Sequence, residues 1–190
     1  MASYVSIANR ALQKVGAARI STPDEDSRNA RAVAVCFYTL AEALQREHSW
    51  NFAKRRVVLT PLADAPEFGA AFRYQLPADC LRVLRLSGVS APWSVEGLTV
   101  VTDHGPVLNL VYAARITDPN EFDAMFSDVL AGRIAVEIVE EITQSNTKAD
   151  AVQRIYREAL ASAKKNNAFE SVPDAVSGDD ADEEWLAVRV

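Results

Sequence analysis

Histidine, cysteine and glycine are all scarce in this 190-residue chain, and each scarcity removes a class of chemistry. The histidines are His48 and His104 alone. Neither stands at metal-ligand spacing from cysteines or acids, so both read as structural or solvated residues. The two cysteines, Cys36 and Cys80, allow neither a disulfide framework nor a metal quartet. They read as small buried residues of a reducing compartment. Seven glycines form no phosphate-cradling loop, and no nucleophile elbow occurs. No apolar run approaches the length of a membrane span, so no membrane partner is expected. The opening Met-Ala-Ser-Tyr-Val lacks a basic segment followed by an apolar one, so no signal peptide is expected.

Positive charge is also in deficit, with a formal net charge of -6. The deficit is local. Residues 1–60 hold nine Lys and Arg against five acids, whereas residues 171–190 hold six acids against Arg189. The body is nearly balanced and the tail is acidic. Arg46, Lys54, Arg55 and Arg56 form the densest basic patch. It belongs to no basic stripe or nucleic-acid-reading motif, so salt bridges or protein contacts are the reading preferred to sequence-specific DNA binding.

What the chain does have is helical periodicity around a strand-rich middle. Tyr4, Ile7, Ala8, Ala11, Leu12 and Val15 predict a helix over 3–15, capped by Ser3 and stopped by Gly16. Ala30, Val33, Cys36, Phe37, Leu40, Ala41 and Leu44 predict a second over 27–49. Between 54 and 117, five prolines break any long helix. Short Val- and Leu-rich runs at 55–59, 72–76, 81–86, 98–102 and 107–116 predict one small antiparallel sheet of four or five strands. Asp103-His104-Gly105-Pro106 reads as a hairpin turn joining the last two runs.

Asp118-Pro119 restarts helix, with Thr117 or Asp118 as cap, and a third helix is expected over 119–145. Its apolar residues cover more than one stripe and need cover on two sides, within the chain or from another subunit. Asn146-Thr147 reads as a break, and a fourth helix is expected after it to about Lys165, stopped by Asn166-Asn167. Residues 166–190 show no stable periodicity and read as a flexible acidic segment. It ends in Trp185-Leu186-Ala187-Val188-Arg189-Val190, whose tethered tryptophan suggests docking. At the join of helix and strands stands Ser49-Trp50-Asn51-Phe52-Ala53, where Trp50 and Phe52 predict a buried structural joint. Glu137, Glu140 and Glu141 cluster on the third helix, most simply as its solvated face.

Four features in order carry a resemblance. They are Ile7-Ala8-Asn9-Arg10-Ala11-Leu12 with Val15-Gly16 and Ile20, Trp50-Asn51-Phe52-Ala53, Phe72-Arg73-Tyr74-Gln75-Leu76-Pro77-Ala78-Asp79-Cys80-Leu81-Arg82-Val83, and Trp185-Leu186-Ala187-Val188-Arg189. Together they make nearly the whole chain resemble the tail tubular protein A family, the head-to-tail adaptors of tailed bacteriophages. The one departure is segment 87–97, which is short and carries Pro92-Trp93, implying a reduced sheet region.

The resemblance implies a mainly α protein with a β insertion (α+β). A four-helix bundle of residues 1–53 and 118–166 would carry a β-rich insertion of 54–117 and an extended acidic tail of 167–190. It implies a homo-oligomeric ring, usually of twelve subunits, at the head-tail junction of the virion, assembled in the host cytoplasm. The implied partners are the portal protein and a tail nozzle or tail-tube terminator. Double-stranded DNA would pass through the channel as a non-specific passenger, eased by the acidic balance. On this reading Trp185, Leu186, Val188 and Arg189 meet the portal or a neighbouring subunit. Phe126, Leu130, Ile134 and Ile138 make ring contacts.

The expected function is therefore structural, without catalysis, cofactor or metal. The alternative is a virion-associated polysaccharide or peptidoglycan hydrolase using Glu137 and Glu141. A weaker third reading is a DNA-packaging regulator acting through Arg55 and Arg56.

Overall fold

The computed structural model describes residues 2–170. Four helices and two small antiparallel three-stranded sheets make a mixed α+β fold around one continuous hydrophobic core. No helix among the described residues is long and apolar enough to cross a membrane.

Helix α1 spans Tyr4–Val15. Ser3 and Ser6 form a reciprocal capping box at its start, and Gly16 closes it at φ 80°, a left-handed conformation that glycine adopts without strain. Asn9 then ties down the following loop. Its amide donates to the Ile20 carbonyl at 2.9 Å and accepts from the Ile20 N–H at 2.7 Å. That pairing gives a physical reason for the spacing of Asn9, Gly16 and Ile20 in the first feature of the resemblance.

Helix α2 (Arg28–Glu47) is capped by Ser27. Its Gln45 is buried and clamps Ile116 from both sides, accepting from the N–H at 2.8 Å and donating to the C=O at 3.0 Å. The bond joins a helix to the chain leaving the last strand, 71 residues on. A buried backbone pair left without partners is costly, so one side chain satisfies both groups.

The strands are β1 (Lys54–Leu59), β2 (Phe72–Gln75), β3 (Cys80–Ser87), β4 (Trp93–Glu96), β5 (Thr99–Thr102) and β6 (Leu108–Ala114). One sheet has the order β1-β6-β3 and the other β2-β5-β4. The expected single sheet is therefore two, and the expected hairpin across Asp103–Pro106 is not formed. β5 pairs with β2 and β4, while β6 pairs with β1 and β3. The connection is anchored to the β2 region: Tyr74 donates its hydroxyl to the His104 carbonyl at 2.7 Å, and the Ala71 N–H donates to Asp103 at 2.8 Å. Gly105 lies against the Phe72 ring, where a Cβ would come within 2.5 Å of Cε2. Strand β4, in the segment read as a reduced connection, has four exposed residues and no burial alternation by which to recognise it.

Asp118 caps only a short 3-10 turn, Pro119–Glu121. Helix α3 (Ala124–Thr143) starts later, capped by Asp123 through the Met125 and Phe126 N–H groups. It packs against α1, α2 and α4, so its wide apolar arc is covered within the chain. Phe126, Leu130, Ile134 and Ile138 are at most 2% exposed and present no surface to a neighbouring subunit, which corrects their expected role as ring contacts. At Gly132 the helix approaches Tyr156 of α4, and an added Cβ would lie 3.4 Å from its ring.

Helix α4 (Asn146–Phe169) passes through Asn166-Asn167 instead of stopping there. The Asn167 amide is committed elsewhere: it donates to the Ser49 carbonyl at 3.0 Å and accepts from the Asn51 N–H at 2.8 Å. A side chain so engaged does not compete for its own backbone.

Candidate functional site

The joint is built from both ends of the helical part. Trp50 is 2% exposed, and its indole N–H donates to the Leu44 carbonyl at 2.8 Å. Its ring meets Phe126 edge-on at 5.2 Å between centroids. Phe52 lies 4.9 Å from Phe126 and 6.0 Å from Phe122. Trp50 and Phe52 thus fasten the end of α2 and the start of β1 to α3 by burying aromatic area.

His48 stands 4.9 Å from the Trp50 ring, with Nε2 3.2 Å from the Asn167 amide nitrogen. Burial, and then the charges of Lys164 and Arg82, hold its pKa below the usual value near 6.5. The neutral ring accepts from Asn167; the protonated ring has no lone pair left to do so. The fold therefore binds a proton at His48 less readily than the unfolded chain does. Its contribution to stability is fully present above pH 6.5 and is lost as pH falls through the lower folded value. Urea midpoints should drop between pH 7 and 5, and His48→Gln should flatten that part of the profile.

Cys36 lies on the buried face of α2, and burial, followed by Glu137, pushes its thiol up to about 11. A thiol held protonated is a poor nucleophile. Glu137, Glu140 and Glu141 are exposed on α3, with Glu141 3.8 Å from Arg28. Among the described residues no group of three or more His, Cys, Asp or Glu could hold a metal ion.

The basic patch read from the sequence is taken apart and rebuilt. Arg46 donates to the Leu81 carbonyl at 2.6 Å. Arg55 donates to the Phe52 carbonyl at 2.9 Å and stands 3.8 Å from Glu121. Lys54 and Arg56 remain together on the outer face of β1, opposite Ala113 and Val111 of β6. Across β6 on that same face stand Arg82, opposite Ala113, and Arg85, opposite Val111. In a regular strand, residues three apart face opposite ways. Here the register shift between Val83 and Arg85 adds a residue to β3 and brings both arginines to one face. Four cations therefore share one sheet face. Sequence reasoning missed Arg82 and Arg85, because nothing in a Leu- and Arg-rich run marks where an irregularity will fall. Next along the face, Val58, Ser87, Asn109 and Val111 line with Arg56 a groove of about 390 Å³.

The second sheet presents an apolar surface. β4 is an edge strand, and Trp93 and Val95 are both exposed on it. Leu98, 68% exposed, follows at the turn. Phe68, 87% exposed, shares a groove of about 260 Å³ with Trp93, Pro66 and Pro92. A strand edge of this kind offers unpaired backbone groups beside apolar side chains. No protein-family model matches this chain, and no curated protein matches it at a significant level. Trp185, Leu186, Val188 and Arg189 lie outside the described residues.

Proposed function

We propose that this chain is a structural virion protein, the head-to-tail adaptor of a tailed bacteriophage. In this reading α1–α4 form a four-helix bundle, and copies assemble into a ring beneath the portal. The ring joins capsid to tail and leaves a channel for the genome. The chain would be made in the host cytoplasm and reside at the head-tail junction.

The observation that carries the reading is the apolar edge of the second sheet. An exposed tryptophan and valine on an edge strand, with an exposed phenylalanine beside the tryptophan, are rare on a protein that stays alone and common where another chain adds on. The residues behind the resemblance support the fold it implies, since several hold the architecture. Asn9 fastens Ile20, Trp50 fastens α2 to α3, and Asp79 accepts from the Tyr112 hydroxyl at 3.2 Å. Subunit contacts fall to β4 and its surroundings, not to the buried face of α3. The C-terminal Trp185-Leu186-Ala187-Val188-Arg189 segment reaches the portal or a neighbouring subunit.

Electron microscopy of the full chain, alone and mixed with the portal protein encoded beside it, tests this. Rings with a central channel stacked on the portal are expected. Monomers that never bind the portal would refute it. Trp93→Ser combined with Val95→Lys should abolish rings while shifting unfolding stability by only about 0.5 kcal/mol, as surface substitutions do. Rings that persist in this variant would remove β4 from the subunit contact.

A further inference from the structure

We propose that the acidic C-terminal segment 171–190 docks on this chain's own cationic sheet face, with its carboxylates on Lys54, Arg56, Arg82 and Arg85 and Trp185 in the groove beside Val58 and Val111. The inference goes beyond the adaptor reading and stands or falls without it.

Three observations select this occupant. The first is where the described chain ends. The last turn of α4 is tied to the residue that opens the approach to β1: the Asn51 N–H donates to Asn167 Oδ1 at 2.8 Å, and the Asn51 amide donates to the Asn167 carbonyl at 2.8 Å. Glu170 Oε2 lies 3.5 Å from the same amide. The last described residue, Glu170, therefore stands beside Asn51, three residues before Lys54 in the chain.

The second is reach. The eight residues 171–178 span up to roughly 26 Å when extended, at about 3.3 Å each. Strand β1 has six residues, about 20 Å. The acidic run can meet any point on the face without strain. Tethering at this range gives an effective concentration on the order of millimolar, so weak contacts suffice.

The third is complementarity. Five carboxylates crowd into Asp179–Glu184, in a chain whose net charge is -6. The four cations share a single face spanning three strands. Immediately after the acids comes Trp185, an apolar ring able to fill a groove floored by valines. Acids first and tryptophan second matches a face whose cations lie nearer the start of β1 and whose groove, lined by Val58 and Val111, lies next along the strand.

The consequence is a segment with two uses. While docked, it covers the cationic face and withholds Trp185 from other partners. A partner that binds Trp185 must compete it away, and that competition becomes easier as salt screens the charges.

Zero-length carbodiimide cross-linking of the full chain tests this. Lys54 is the one primary amine of the four cations, and its amide with a carboxylate of 179–184 forms only on contact. An equal mixture of unlabelled and ¹⁵N-labelled chains separates contacts within a chain from contacts between chains. Cross-linked peptides joining Lys54 to 179–184 are expected, with both halves carrying the same label. Their yield should fall about tenfold at 1 M salt, where the screening length is about 3 Å. It should fall similarly in the full-length Arg56→Glu/Arg85→Glu chain. The salt arm uses the unaltered sequence, so a misfolded variant does not decide the result. Absence of the cross-link at low salt would overturn the proposal. So would mixed-label peptides, which would place the segment on a second copy. Binding of duplex DNA to the full chain through Arg56 and Arg85 at low salt would also overturn it, by assigning the face to phosphate.

Discussion

Trp50→Ala is expected to lower the unfolding free energy by about 4 kcal/mol, the largest loss for any single side chain at the joint. The ring is 2% exposed, meets Phe126 edge-on and carries an N–H that satisfies the Leu44 carbonyl. Truncation leaves a cavity between α2 and α3 and removes the partner of a carbonyl near the end of α2. A domain of ordinary stability, about 5–15 kcal/mol, would lose a large share of it. Urea unfolding checks the figure, with the slope compared so that a change in the unfolded state is not taken for a change in contacts. Trp50→Phe retains one aromatic ring and loses the pyrrole half of the indole with its N–H, so it should cost about 1–2 kcal/mol. Equal losses in both variants would mean that the hydrogen bond, not the packing, holds the joint.

Gln45→Ala should cost about 3 kcal/mol. The substitution empties buried volume and leaves both backbone groups of Ile116 without partners inside the fold, each at about 1–3 kcal/mol. Gln45→Met separates the two causes, because it keeps the length and the apolar volume and loses only the bonds. About 2 kcal/mol should still be lost. Near-native stability of the Met variant would show that the clamp adds little beyond filling space. Hydrogen exchange at the Ile116 amide is a second readout, since its N–H donates to Gln45 Oε1 at 2.8 Å in the folded chain.

The helices were legible because each carries its own signal. The 3.6-residue stripe of α1 ends at the glycine that closes it, and Ser3 caps where a cap was expected. Boundaries failed where a polar residue had a distant partner. Asn167 reads locally as a helix stop, yet its amide is spent on Ser49 and Asn51, more than 100 residues earlier. Asp123 outcompetes Asp118 as the cap of α3 because the turn after Pro119 is 3-10 and not α.

The interaction surfaces were half legible. Trp50 and Phe52 stood out as large aromatics among polar residues; Trp50 lies in the core, and Phe52, partly buried, packs against it. The cationic face did not stand out. It needs a register irregularity between Val83 and Arg85 to bring Arg82 and Arg85 to one face, and a cross-strand partner to place them beside Lys54 and Arg56. The four predicted ring-contact residues of α3 failed for a related reason. A wide apolar arc shows that cover is required, but says nothing about whether the cover comes from α1, α2 and α4 or from another copy.

By itself, the sequence determined every element but β4: four amphipathic or apolar helices, a proline-punctuated run of short strands, and an aromatic joint between them. These depend on periodicity, capping and residue size, all of which act over a few residues. Only the tertiary structure decided pairing. The split into two sheets, the broken hairpin at Asp103–Pro106, the Gln45 clamp on Ile116 and the shared cationic face all rest on contacts between distant segments. The physical reason is that a strand's hydrogen bonds are satisfied by a neighbour and not within itself. Its partner and register are therefore set by burial of the whole chain, whereas a helix carries its partners in its own sequence.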